Sequence, residues 1–398
     1  LTITDKENNV TYKNQGVLVE NGDDGDSFNY SPPRKDMEVF SNESKCTVKI
    51  SGSDIYDQAE IHFDMVVPAD LDERAEGKVS VTMLVDMTVA LRKDSKVIDF
   101  NVKVDNKGLS HRLCVLFDSQ IVSAFNYADQ QFGLIKRPNY YEKEMKLYME
   151  SMNNKTEKKA GIQELANWAN DQSTWQEPPI SIEPTQSYVS LTDGKTGIAV
   201  IPQGVREYEV LDDSKIRLTL FRTYGFMGKE NLIYRPGRAS GERIIETPAA
   251  QLLKEMEFNF GFTSYAGDIN DSDIDTLAKQ YNTNLEVYTY AEFLNGRLIF
   301  SQREIEGQNA KIHSLFETEG NLVVSAVKKA EEDDGYIIRL YNGKDHKDLD
   351  DKIKFNFDIK EAYYTNLKEE KTEEIKVENN TISVKELSHC KFVTIWVK

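Results

Sequence analysis

Cysteine is scarce and badly spaced for cross-linking: Cys46, Cys114 and Cys390 are the only three in 398 residues. An odd, scattered set makes no disulfide framework and fits a reducing, cytoplasmic compartment. Positive charge is short as well, with 49 Lys and Arg against 67 Asp and Glu and a net charge of −18. That balance argues against nucleic-acid phosphates and an anionic membrane surface as partners, and leaves neutral or cationic ligands open. No apolar run approaches the roughly 18 residues of a membrane span. The five histidines (His62, His111, His313, His346, His389) form no H-x-H, HExxH or i,i+4 pair, and there is no CxxC. No G-x-S-x-G and no reactive-cysteine context supports nucleophilic catalysis.

What is present is apolar alternation. The hydrophobic share is 39%, with 19 Tyr and 18 Phe, enough to build cores and to argue against disorder. Val79, Val81, Met83 and Val85 share one strand face, and after Arg92-Lys93-Asp94-Ser95 the residues Ile98, Phe100, Val102 and Val104 share the next. The period of two returns at Leu113, Val115, Phe117; at Ile216, Leu218, Leu220; at Met256 to Phe262; and at Phe355, Phe357, Ile359. A last hairpin is expected at Ile375 to Val384 about Asn379-Asn380, with a closing strand from Phe392 to Val397. Many short strands joined by turn residues predict a large antiparallel sandwich.

Helix is sparse. Tyr140 to Asn153 sets Met145, Met149 and Met152 on one face, a stripe expected to pack into a core, and Ile162, Leu165, Ala166 and Ala169 repeat the spacing. Both are expected to form a helical insertion near 140–170. A third short helix is expected from Ser272, as N-cap, to Tyr281. The length exceeds one core, so two domains are expected: residues 1–270 as the large sandwich and 271–398 as a smaller one. The opening LTITDKENNV reads as the middle of a strand, so the chain is expected to be part of a longer polypeptide.

Two stretches carry candidate chemistry. Asn21 to Arg34, NGDDGDSFNYSPPR, sets Asp23, Asp24 and Asp26 among glycines ahead of Phe28, Asn29, Tyr30 and Pro32-Pro33. Gly22 and Gly25 permit positive φ, and the prolines forbid helix or central strand, so a shaped loop is expected. Acids that accept hydroxyl hydrogen bonds beside rings that stack on a sugar face suit a carbohydrate; a solvated acidic turn is the plainer reading. The Leu218–Gln251 stretch carries Arg235 and Arg238 on a Gly/Pro loop. Those arginines could grip sugar hydroxyls or a carboxylate, or pair with this chain's own acids, the opening loop included. His111 with a distant glutamate could imitate a mutarotase site; a structural imidazole at a strand end is the alternative. Glycoside chemistry needs two carboxylates at a defined separation, and among 67 acids no pair stands out.

Several blocks, in order, resemble the C-terminal part of bacterial glycoside hydrolase family 38 enzymes, the α-mannosidases and mannosylglycerate hydrolases. They are ENGDDGDSFNYSPP at 20–33, VDNKGLSHRLCVLF at 104–117, WQEPP at 175–179, YVSLTDGKTGIAVIPQGVREYEV at 188–210, LFRTYGFMGKENLIYRPGRASG at 220–241 and AVKKAEEDDGYIIRLYN at 326–342. The resemblance implies a mutarotase-like β-supersandwich followed by a smaller β-sandwich. It implies retaining hydrolysis of α-mannosides, with two catalytic aspartates and a zinc ion. Those groups are expected in an N-terminal catalytic domain outside this chain, so no catalytic or metal residue is assigned here, and this chain alone is expected to be inactive.

The resemblance also implies that the GDSFNYSPP loop leans over the catalytic pocket. Asp24, Asp26, Phe28, Asn29 and Tyr30 are then the expected substrate-binding residues, with Arg235 and Arg238 of RPGR beside them. Relatives often have Tyr where Phe28 stands, so a phenolic hydrogen bond is absent from that contact. The expected partners are an α-mannoside or mannosylglycerate-like carbohydrate and the enzyme's own N-terminal domain, with no nucleic acid and no membrane; a homodimer is allowed. Two other functions stay open: a free-standing carbohydrate-binding module or lectin, and a mutarotase-like enzyme using His111.

Overall fold

The computed structural model describes residues 1–155, 177–236, 244–286, 314–345 and 348–398. The chain divides into two compact units, one of Leu1–Gln130 with Ile135–Ala278, the other of Gln131–Leu134 with Lys279–Lys398.

Among the described residues, the first unit is built on a nine-stranded and a six-stranded sheet. The larger runs, edge to edge, Gly133–Pro138, Phe125–Gln130, Val189–Thr192, Thr196–Gln203, Glu255–Ala266, Ile98–Asp105, Val81–Arg92, Tyr56–Val67 and Lys45–Gly52. The smaller runs Glu183–Pro184, Glu207–Leu211, Lys215–Arg222, His111–Asp118, Gln15–Gly22 and Val39–Phe40. Alternation decides which side chains enter the layer between them. Met83, Val85, Met87, Phe100, Val102 and Val104 come from the larger sheet and Leu113, Val115, Phe117, Ile216 and Leu218 from the smaller, and all join one core.

Aromatic rings bridge the layer. Phe117 of the smaller sheet meets Phe100 edge-on at 5.5 Å and stacks on Phe262 at 5.5 Å. Such pairs add about 0.5–1.5 kcal/mol each beyond their buried area. Gly16, at φ +67°, sits at the irregular register between Gln15 and Val17 and lets the backbone meet the Phe100 ring.

The second unit has a three-stranded sheet, Phe316–Thr318, Leu349–Phe355 and Thr381–Leu387, and a five-stranded one. The latter runs Val323–Lys329, Tyr336–Tyr341, Phe392–Val397, Ala362–Thr365 and Lys371–Glu374. Their inner faces share a core that includes Ile338, Leu340, Ile353, Phe355, Ile382 and Ile395. Mainly β architecture with antiparallel sandwiches is what the alternation predicts.

Several local expectations are corrected. Asn379 and Asn380 do form a tight turn at φ 50° and 59°, closed by a Glu378–Thr381 bridge. The Thr381–Leu387 strand then pairs with Leu349–Phe355 rather than with Ile375–Val377. Phe357 and Ile359 lie beyond the Leu349–Phe355 strand. The short helix is Ile274–Tyr281, and the Ser272 hydroxyl just ahead of it donates to the Ile269 carbonyl at 2.7 Å. The helix Glu142–Lys155 forms, but Met145 and Met149 are exposed while Tyr148 is buried. Ile162, Leu165, Ala166 and Ala169 lie outside the described residues.

Candidate functional site

The Gln15–Gly22 strand ends in the acidic loop, and that loop folds on itself. The Asp24 amide donates to the Ser31 carbonyl at 2.8 Å and the Asp26 amide to the Asn29 carbonyl at 3.0 Å. Asp26 Oδ1 accepts the amides of Phe28 (2.9 Å) and Asn29 (3.0 Å), the local carboxylate–backbone turn for which Asp is favoured. Gly22 and Gly25 are not in the left-handed region. Their value is room: a Cβ on Gly25 would collide with the Asn29 carbonyl, and one on Gly22 with Pro33 and Arg74.

Two arginines clamp the loop from behind. Arg222, at the end of the Lys215–Arg222 strand, donates from Nε to Asp23 Oδ2 at 2.6 Å. Its Nη2 reaches the carbonyls of Asp26 and Asn29, each at 2.8 Å. Arg235, which is buried where Arg222 is only partly so, forms an ion pair with Asp26 and hydrogen bonds with Asn29 Oδ1 and the Lys229 carbonyl. Of the two uses open to Arg235 in the sequence, it makes the internal pairing with the opening loop. Arg238 lies outside the described residues.

The acids are therefore engaged. Burial works against ionisation of Asp26, but the Arg235 hydrogen bond and the amides of Asn29 and Phe28 outweigh it and hold the carboxyl below its ordinary value. Burial prevails at Asp23, whose carboxyl is raised in spite of Arg222 and two backbone amides. Tyr30 is buried too. Its hydroxyl accepts from Asn21 Nδ2 at 3.0 Å, its ring lies 3.9 Å from the Arg112 guanidinium, and its edge meets Tyr234 at 5.9 Å. Burial pushes its phenol above the usual range.

What the loop offers outward is smaller. Phe28 is 59% exposed. Asp24 is partly open and bound to Lys229, and Asn29 Nδ2 donates to Glu177 Oε2 at 3.3 Å. The structure thus brings Asp24, Asp26, Phe28, Asn29, Tyr30 and Arg235 together on one loop framework. Sequence reasoning did not find Lys229, Arg222 as the clamp, or Glu177. Arg222 and Lys229 lie in the 220–241 block and Glu177 in the WQEPP block, but nothing in either block singles them out.

His111 opens its strand with a fully buried side chain, Nδ1 3.0 Å from Glu20 Oε1 and Nε2 2.9 Å from Asn106 Oδ1. Both ring nitrogens are bonded and the residue has no exposed surface, the arrangement expected of a structural imidazole at a strand end. Among the described residues, no group of three or more His, Cys, Asp and Glu could hold a metal ion. No described helix is long and apolar enough to cross a membrane. All three cysteines are free.

Residues 1–226 match the family model described as glycosyl hydrolases family 38 C-terminal domain. The chain belongs to glycoside hydrolase family 38. Residues 321–394 of this family 38 chain also match the family's C-terminal beta sandwich domain. A Halalkalibacterium halodurans protein named "Putative mannosylglycerate hydrolase" is 23% identical over 96% of this chain and 38% of its own length. Two solved Enterococcus faecalis structures share the fold across the whole chain. One, a protein in glycosyl hydrolase family 38, has a TM-score of 0.72 at 19% identity, with 41% of it covered. The other, an alpha-mannosidase from strain V583, has a TM-score of 0.73 at 19% identity, with 40% of it covered. The family 38 chain thus spans about two fifths of the length of these relatives.

Proposed function

We propose that the chain is the β-rich C-terminal region of a retaining α-mannosidase-type hydrolase. In this reading it scaffolds a catalytic domain outside these residues and lends the Asp23–Arg34 loop as one wall of the sugar pocket. The carrying observation is a loop whose buried groups are internally paired while Phe28 stands 59% exposed at its tip. A rigidly backed, exposed ring is suited to stack on the apolar face of a pyranose. Asp24, Lys229 and Asn29 beside it supply hydroxyl partners. Asp26, Tyr30 and Arg235 hold the wall in place. The zinc ion and catalytic carboxylates belong, in this proposal, to the catalytic domain outside these residues. The substrate proposed is an α-mannoside or mannosylglycerate-like sugar.

In the full-length enzyme, Phe28→Ala is expected to lower kcat/KM for an aryl α-mannoside about tenfold, roughly 1.4 kcal/mol, mainly through KM. Its unfolding midpoint should stay unchanged because the side chain is exposed, and Phe28→Tyr should retain activity. The 398-residue chain alone is expected to show no turnover. Zinc-dependent hydrolysis by that chain, or unchanged kinetics in Phe28→Ala, would refute the respective half of the proposal. Sugar binding by the isolated chain would favour the carbohydrate-binding-module alternative.

A further inference from the structure

The Lys45–Gly52 strand is the outer edge of the nine-stranded sheet, with no strand on its far side among the described residues. Its inner neighbour is fully paired: Cys46 lies opposite Phe63, Val48 opposite Ile61 and Ile50 opposite Ala59. Phe63 and Ile61 belong to the core cluster, so Cys46, Val48 and Ile50 continue the core-facing side of the sheet. Yet Val48 is 56% and Ile50 80% exposed. The opposite side of the strand is polar, and Lys49 there bonds Glu60 at 3.2 Å. A long, regular edge with an uncovered apolar side is a template for pairing with another strand.

We propose that this edge pairs antiparallel with the same strand of a second copy of the chain, joining two sandwiches across a two-fold axis through Val48. The residues are self-complementary in that register. Val48 faces itself, Cys46 faces Ile50, Thr47 faces Lys49 and Lys45 faces Ser51, so no lysine opposes a lysine. A two-fold axis perpendicular to the sheet joins apolar face to apolar face. Neighbouring registers that keep the faces matched fail on charge. Centring on Thr47 sets Lys45 against Lys49, and centring on Lys49 sets that residue against itself, and like charges directly opposite destabilise a pair. The surface is isologous and independent of the sugar-site reading.

The test uses the full-length protein and the 398-residue chain. Light scattering at micromolar concentration should report a dimer for wild type, and Val48→Lys should weaken association by about tenfold or more, because it sets lysine against lysine at the axis. The wild-type melting midpoint should fall with dilution toward that of Val48→Lys, and the two should coincide where both are monomers, since Val48 lies on the exposed edge. In a Cys46→Ser, Cys390→Ser background, Val48→Cys should oxidise to a covalent dimer while Lys49→Cys, which faces Thr47, should not. A wild-type monomer overturns the proposal, as does a dimer untouched by Val48→Lys or equal cross-linking at both positions. Protection from exchange of the outward-pointing amides of this strand, those not bonded to Tyr56–Val67, in a monomeric full-length protein would assign the edge to another segment, and would also overturn it.

Discussion

Replacing Asp26 by alanine is expected to destabilise the large sandwich by about 3–5 kcal/mol, read as the shift in urea unfolding followed by circular dichroism. Asp26 has no solvent-exposed surface and Arg235 is almost as deeply buried. Removing the carboxylate leaves a guanidinium without its counter-ion, and it also orphans the amides of Phe28, Asn29 and Lys229, which the carboxylate accepts at 2.8–3.0 Å. Asp26→Asn should fall between the two, because an amide oxygen still serves part of the loop while the charge is gone. Pairing Asp26→Ala with Arg235→Met should recover part of the loss, since an apolar pair has no unmatched charge to bury. A single-variant cost below about 1 kcal/mol would show that Arg235 is solvated and that the loop is not clamped.

The same carboxylates give a pH signature. The unfolded reference for both is 3.8. Asp26 has a lowered folded value, so its stabilisation is complete above 3.8 and is lost as pH falls through the folded value. Asp23 has a raised folded value, so the folded state takes up its proton first and acidification toward 3.8 favours folding. Against wild type, Asp26→Asn should flatten the stability curve below 3.8 and Asp23→Asn should flatten it above. A parallel curve for both variants would show that neither carboxylate is shifted.

Much of this was legible from residue order, and the boundary of legibility is physical. Ile98–Val104, Leu113–Phe117, Ile216–Leu220 and Met256–Phe262 announce their strands because a side-chain period of two survives wherever one face is buried. Loop geometry is legible only where a residue's own backbone enforces it. Asn379-Asn380 turns as expected, whereas the partner of the following strand is chosen by tertiary packing against Leu349–Phe355, which no local pattern encodes. Phe28, Asn29 and Tyr30 look equivalent in sequence. The fold separates them, exposing Phe28 and enclosing Tyr30 between Arg112 and Tyr234, because burial depends on Arg112, Arg222 and Tyr234, each far along the chain. The exposure of Val48 and Ile50 was hidden for the same reason, since alternation reports which face a residue shares and not whether anything covers it.

Replacing Glu20 by alanine is expected to cost about 3–5 kcal/mol as well, and it would loosen the acidic loop from its far end. Glu20, Arg74 and His111 are all essentially without exposed side-chain surface. Arg74 comes from the short helix Leu71–Glu76, held at its start by Asp70, whose carboxylate accepts the amides of Asp72 and Glu73 at 3.0 Å. From there it pairs with Glu20 and also donates to the Met37 carbonyl at 2.6 Å and to Asp36 Oδ1 at 3.3 Å. Asp36 in turn accepts the Gly22 amide at 3.0 Å, so this cluster ties both ends of the loop together.

Protons within the cluster can be placed by its hydrogen bonds. Asn106 Nδ2 donates to the Gln251 and Leu252 carbonyls, which turns Oδ1 toward His111 and makes Nε2 the donor there. His111 Nδ1 then faces Glu20 Oε1 at 3.0 Å, a contact that requires a second proton between imidazole and carboxylate. Glu20→Gln distinguishes where that proton belongs. If the imidazole carries it, the amide variant leaves His111 without an anion and Arg74 with Asp36 alone, and should lose nearly as much stability as alanine. If the carboxyl carries it, the amide mimics the protonated acid and should stay close to wild type. In either case Glu20→Ala must destabilise, and a neutral effect would mean that Arg74 and His111 find solvent and that the loop is anchored elsewhere.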